Sequence, residues 1–140
     1  MFSDETTVRQ FANYTSLVSR PVREQYSPQY VLPKIKHSPS VMAWGCISAQ
    51  GHGGLWFLTK NETMKSTNYL MVLREKLPRW MPQLNCSIFQ QDGAPAHTAK
   101  AVKAWLRDRG YRVLEGWPGS SPDHNVIEKC WTVVKKKVAS

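Results

Sequence analysis

The chain has 140 residues, 41% of them apolar, and its nineteen Lys and Arg against ten Asp and Glu leave a net charge of +9. That length supports one domain with a single core and is too short for two, and the surplus charge favours polyanionic partners, nucleic acid first. No apolar run reaches bilayer-spanning length, Met1-Phe2-Ser3-Asp4-Glu5 lacks the basic start and apolar stretch of a signal peptide, and Cys46, Cys86 and Cys130 form no Cys-x-x-Cys pair, so an intracellular chain with reduced cysteines, no membrane and no zinc framework is expected.

Phe2 to Glu5, followed by Thr6, Thr7, Val8 and Phe11, is β-prone and reads as a strand cut close to its start. Between residues 13 and 40, Pro21, Pro28, Pro33 and Pro39 leave room for extended pieces and turns only. Val41 to Ser48 is nearly all apolar, Gly51-His52-Gly53-Gly54 reads as a turn, and Leu55 to Leu58 as the second strand of a hairpin. Ser66 or Thr67 is placed to cap a helix carrying Tyr69, Leu70, Leu73 and Leu77, which Pro78 should end or kink. Ile88-Phe89 then forms a short strand ending towards Asp92. Gly93 and Pro95 turn the chain, and Ala99, Val102 and Leu106 lay an apolar stripe along a helix over 98–109. Gly110 suits a left-handed helix end, and Tyr111 to Leu114 reads as a strand. Trp117 to Pro122 forms a rigid connection, Asp123 or Asn125 caps the last helix, and Ile127, Trp131, Val134 and Val138 share its buried face with Glu128 at the edge. This order predicts an α/β domain over 1–140: a mixed central β-sheet flanked by α-helices, its first strand truncated.

Asp92 at a strand's carboxyl end faces the crevice where open α/β sheets place their chemistry, although Asp-Gly alone is ordinary turn chemistry. Asp4 from another strand and Glu128 from the last helix are expected at the same rim. Hard oxygen donors, with no His and Cys set at metal spacing, suit Mg²⁺ or Mn²⁺, and two such ions would neutralise the clustered carboxylates. Glu5 should point to the opposite face from Asp4 by strand alternation, and Asp123 is better spent on the helix start. His97 is read as a polar group near the site that touches DNA phosphate, or as a plain helix-start residue, and His124 as an exposed first-turn residue or as one that approaches the metals. Lys100, Lys103, Arg107, Lys129 and Lys135-Lys136-Lys137 on the helices beside the site form either a solvated face or a phosphate track, and Trp117 offers a surface for a displaced base.

Four stretches in this order carry a family likeness: Phe2-Ser3-Asp4-Glu5; Val41-Met42-Ala43-Trp44-Gly45-Cys46-Ile47-Ser48; Phe89 to His97; and Trp117-Pro118 through Ser121-Pro122-Asp123-His124-Asn125-Val126-Ile127-Glu128 to Trp131. Along nearly its whole length the chain resembles the catalytic domain of mariner-type DDE transposases, in their Tc-like branch. The resemblance implies a ribonuclease-H-like fold and an Asp-Asp-Glu triad at Asp4, Asp92 and Glu128 that binds two Mg²⁺ or Mn²⁺ ions. His124 and Val126 stand where the family usually has Leu and Pro, and the interval from Asp92 to Glu128 is one residue longer than usual in that branch.

Two functions follow from the likeness. One is a metal-dependent phosphoryl transferase that cleaves double-stranded DNA at transposon ends and joins the freed 3′-hydroxyl to a TA target, in the nucleus, with a homodimer possible for the full-length protein. The other is a truncated or domesticated derivative that binds nucleic acid without cutting. The family's amino-terminal helix-turn-helix region has no counterpart in these residues, so duplex binding without sequence preference is expected.

Overall fold

The computed structural model describes residues 1–9, 40–59, 62–117 and 125–139. The proline-rich reading of 13–40 thus falls almost wholly outside the described residues, as do Pro118 to His124. The first strand, β1 (Phe2–Arg9), pairs antiparallel with β2 (Ser40–Ser48) along its whole length, Asp4 opposite Gly45 and Glu5 opposite Trp44. Expected to be truncated, it is instead eight residues long, because β2 supplies a ladder partner to every position. Asp4 therefore sits within a paired strand and not at its end.

β2 turns through Ala49 and Gln50 into β3 (Gly51–Phe57). The glycines expected as the turn belong to this strand, for a packing reason. A Cβ at Gly53 would lie 2.3 Å from Cys46 Sγ and one at Gly54 2.5 Å from Trp80 Nε1, so bare backbone is what lets β3 pass beneath the following helix.

That helix, α1 (Ser66–Gln83), buries Tyr69, Val72, Leu73, Leu77 and Met81. Neither Ser66 nor Thr67 caps it. Lys65 holds the cap position without a side-chain bond, and Thr67 donates to Asn68. It also continues through Pro78 and Pro82 instead of ending at Pro78. Pro78 is exposed, as is Arg74, whose carbonyl loses its helical donor, and the buried stripe holds the helix together.

β4 (Ile88–Phe89) pairs parallel with β5 (Arg112–Val113), shorter than the strand expected at 111–114. A parallel bridge from Phe2 to Gln90, with Gln90 N–H donating to Met1 O at 2.8 Å and Ser3 N–H to Gln90 O at 3.2 Å, sets β4 beside β1. The strands thus run β3-β2-β1-β4-β5 across one mixed sheet. The helix expected over 98–109 is broken at the extended Ala99 into a single turn, α2 (Pro95–Thr98), and α3 (Lys100–Asp108). The break separates the turn that carries His97 inward from the helix that buries Val102 and Leu106. Gly110 adopts φ 72°, the left-handed helix end expected of it.

One face of the sheet packs Trp44 and Phe89 against α1 and α3 in a core with Tyr69, Leu73, Leu77, Val102 and Leu106. The other face takes α4 (Ile127–Ala139) across β1, held by buried Ile127 and Trp131. Val138, expected in that buried stripe, is instead 48% exposed, while Val134 is half-buried. Among the described residues no helix is long and apolar enough to cross a membrane.

Candidate active site

Directly opposed residues of a ladder share a face, so Asp4 lies on the face of Gly45. A Cβ at Gly45 would stand 2.7 Å from the Trp131 ring, which makes this the face covered by α4, where Glu128 is half-buried one turn before Trp131. Asn125 ties helix and strand together: its Oδ1 accepts from Ile127 N–H at 3.4 Å and its Nδ2 donates to Ser3 O at 3.3 Å. Of the two caps considered from sequence, Asn125 fills the role; Asp123, like His124, lies outside the described residues.

Asp92 follows the Gln90 bridge, and its Oδ1 accepts from Ala94 N–H at 2.9 Å, so the turn chemistry of Asp-Gly is present as well. The same oxygen lies 2.6 Å from Nδ1 of His97, whose Nε2 is 3.1 Å from Oε1 of Glu5. Glu5 does point away from Asp4, as alternation required, and reaches Asp92 through the histidine from the other side of β1. His97 is only 2% exposed with both nitrogens engaged, so it cannot touch DNA phosphate; that expectation is corrected. Tyr69 lies against its ring at 4.1 Å between centroids and donates to Gln91 Oε1 at 2.8 Å, while Gln91 Nε2 donates to His97 O at 3.4 Å.

Burial, then the charges of Glu128, Glu5 and Asp92, push the Asp4 carboxyl up to about 7. Its Oδ2 is buried with no hydrogen-bond partner among the described residues. Asp92 moves the opposite way, held below the usual carboxylate range by the His97 hydrogen bond against the cost of burial. For His97, burial opposes the charge, but the hydrogen bonds and charges of Asp92 and Glu5 outweigh it and raise the imidazole to about 10. Burial and the Glu5 charge hold the Tyr69 hydroxyl neutral, far above its ordinary value.

The structure thus brings Glu128, Glu5 and Asp92 within electrostatic range of Asp4, without gathering the four around a point. Among the described residues no three His, Cys, Asp or Glu side chains are grouped so as to hold a metal ion. The donor chemistry nonetheless fits a hard cation: an orphaned, buried carboxylate oxygen beside a second carboxylate is stabilised by positive charge more than by any hydrogen bond on offer.

Beside Asp92 opens a cleft of about 690 Å³, lined in part by Thr98, Lys103, Arg107, Tyr111 and Trp117. Trp117 packs edge-on against Phe2 at 6.2 Å. Lys100 and Lys103 are exposed on α3, and Lys129, Lys135 and Lys136 are exposed on α4. The two groups flank the sheet from opposite faces instead of forming a single stripe.

The roles of Glu5, Tyr69 and Gln91 were not read from the sequence. The signal available was His97, five residues after Asp92 across Gly93-Ala94-Pro95-Ala96, small residues that let the chain double back.

A family model described as DDE superfamily endonuclease matches residues 1–140. The chain belongs to that family. It is a Tc1/mariner-type DDE domain with a ribonuclease-H-like fold. It is 34% identical over 143 residues to the Tc1 transposase of Caenorhabditis elegans and 36% identical over 142 residues to the Tcb1 transposase of Caenorhabditis briggsae, covering 99% of this chain and 51% of each relative. The chain therefore spans about half the length of these relatives. In fold it is similar to the mariner Mos1 paired end complex with Mg, with a TM-score of 0.68 at 23% identity, over 99% of this chain and 41% of that one.

Proposed function

We propose that this DDE domain is the catalytic core of a DNA transposase, cleaving DNA strands and transferring a 3′-end with Asp4, Asp92 and Glu128 as ligands for Mg²⁺ or Mn²⁺. The observation that carries the reading is the buried Oδ2 of Asp4, without a partner among the described residues, on a carboxyl raised to about 7 by burial and by Glu128 beside it. Family membership and the Mg bound in the Mos1 complex of similar fold support it.

When bound, divalent ions would activate the attacking oxygen and neutralise charge developing on the leaving oxygen. The chain's residues do the positioning. Asp4 gives up its proton where a cation replaces the repulsion of Glu128, and Glu128 is held on its side by the Asn125 cap. Asp92 faces the cleft already ionised. Lys103 and Arg107, lining that cleft, hold the phosphate backbone of double-stranded DNA, and Trp117 offers a face on which a base can stack.

Nicking of supercoiled plasmid tests the proposal. The parent should nick slowly in Mg²⁺ or Mn²⁺ and stop in EDTA, whereas Asp4→Asn and Asp92→Asn should lose cleavage and still bind DNA. Nicking that persists in both variants would assign the activity elsewhere.

A further inference from the structure

We propose that Glu5 and His97 are positioning residues that set the orientation of the Asp92 carboxylate before metal or DNA arrives; this rests on the ligand role proposed for Asp92. Asp92 stands in a loop with its side chain 35% exposed, and a carboxylate so placed would ordinarily sample several rotamers. Here its Oδ1 is taken twice, by Ala94 N–H and by His97 Nδ1, which leaves Oδ2 as the oxygen with capacity for a ligand.

The histidine cannot swing to follow Asp92. Its Nε2 is anchored by Glu5, its ring lies against Tyr69, and its backbone carbonyl is held by the Gln91 amide, itself fixed by the Tyr69 hydroxyl. Glu5 is the neighbour of Asp4 on β1. One strand therefore places two proposed ligands: Asp4 directly on one face, and Asp92 through Glu5 and His97 on the other. A hydrogen-bonded partner that orients a ligating side chain typically changes metal affinity 10- to 100-fold when removed.

Mn²⁺ binding, followed by the paramagnetic resonance signal of free Mn²⁺, tests this on the purified protein alongside thermal melts. Glu5→Leu and Glu5→Gln remove the same charge beside Asp4, but only Gln keeps an oxygen facing Nε2. Glu5→Leu should weaken Mn²⁺ binding at least about tenfold relative to Glu5→Gln, in the range expected for a lost orienting partner. Equal affinities in two folded variants would overturn the proposal. Should Glu5→Leu not fold, His97→Asn, which keeps a donor near Asp92 but cannot reach Glu5, should weaken binding similarly, and parental affinity there would overturn it. Asp92→Asn separates the two levels: parental Mn²⁺ binding in that variant would remove the ligand role itself, whereas lost binding together with indifferent Glu5 variants would remove positioning alone.

Discussion

His97 Nε2 lies 3.1 Å from Oε1 of Glu5, a contact across 92 positions of sequence that joins the first strand to the turn after Asp92. A half-buried acid on β1 thereby governs a carboxylate on the loop beyond β4. The result is electrostatic asymmetry at the rim: Asp92 is held ionised by His97, while Asp4, buried and beside Glu128, is held protonated to about pH 7.

That asymmetry fixes how stability depends on pH without metal. Asp4 releases its proton near 3.8 when unfolded and near 7 when folded, so between those values the folded chain binds the extra proton and stability falls as pH rises. His97 has the same sign: raised from 6.5 to about 10, its contribution is complete below 6.5 and is lost as pH climbs through 10. Asp92, lowered from 3.8, contributes above that value and is lost as pH falls through its folded pKa. Thermal melts in EDTA should therefore show Tm declining from about pH 5 to about pH 9. Asp4→Asn should flatten the part below neutrality, and Mg²⁺ should raise Tm most on the alkaline side, where no proton need be displaced. A Tm that climbs steadily over this range contradicts the assignment.

Gly45→Ala would put a methyl 2.7 Å from the Trp131 ring and 3.0 Å from Leu55. Relief requires α4 to lift from β2, an overpacking cost of about 1–3 kcal/mol, read as a lower midpoint in urea. Because Glu128 rides on the same helix, cleavage should fall further than the loss of folded protein explains. Unchanged activity in the folded fraction would mean that Glu128 does not depend on this contact.

With a net charge of +9, duplex binding should proceed by counterion release, falling steeply with salt and differing little between duplex sequences. Each lysine that touches phosphate should reduce the logarithmic salt slope by about 1 when replaced by Ala. Lys103, on the cleft wall beside Asp92, is expected to do so; Lys100, Lys129, Lys135 and Lys136 test whether α3 and α4 both meet DNA. Fluorescence anisotropy across a salt series measures this. A strong sequence preference surviving at high salt would mean that the domain reads bases.

Local patterning revealed what is local. The spacing of Val102 and Leu106 announces a helix, although Ala99, read into the same stripe, is the extended residue before it; Gly110 marks its end, and the alternation along β1 puts Asp4 and Glu5 on opposite faces. Features decided by distant neighbours were read wrongly. Pro78 does not stop α1, because it lies on the exposed side and the buried stripe carries on from Leu77 to Met81. Gly53 and Gly54 read as a turn until Cys46 and Trp80 are placed against them. The first strand reads as short until β2 is laid beside it. For the same reason His97 could be placed near the site but not assigned its work: its burial depends on Tyr69, and its second partner comes from the other end of the chain.

Crystals soaked in Mn²⁺ and measured at the manganese absorption edge would put the metal proposal to its most direct test, because anomalous scattering marks the ion irrespective of what it does. The expected result is Mn²⁺ on Oδ2 of Asp4, with Asp92 or Glu128 completing its protein ligands and His97 still between Asp92 and Glu5. Manganese bound only at surface acids such as Asp108 or Glu115, with the Asp4 oxygen left bare, would contradict it.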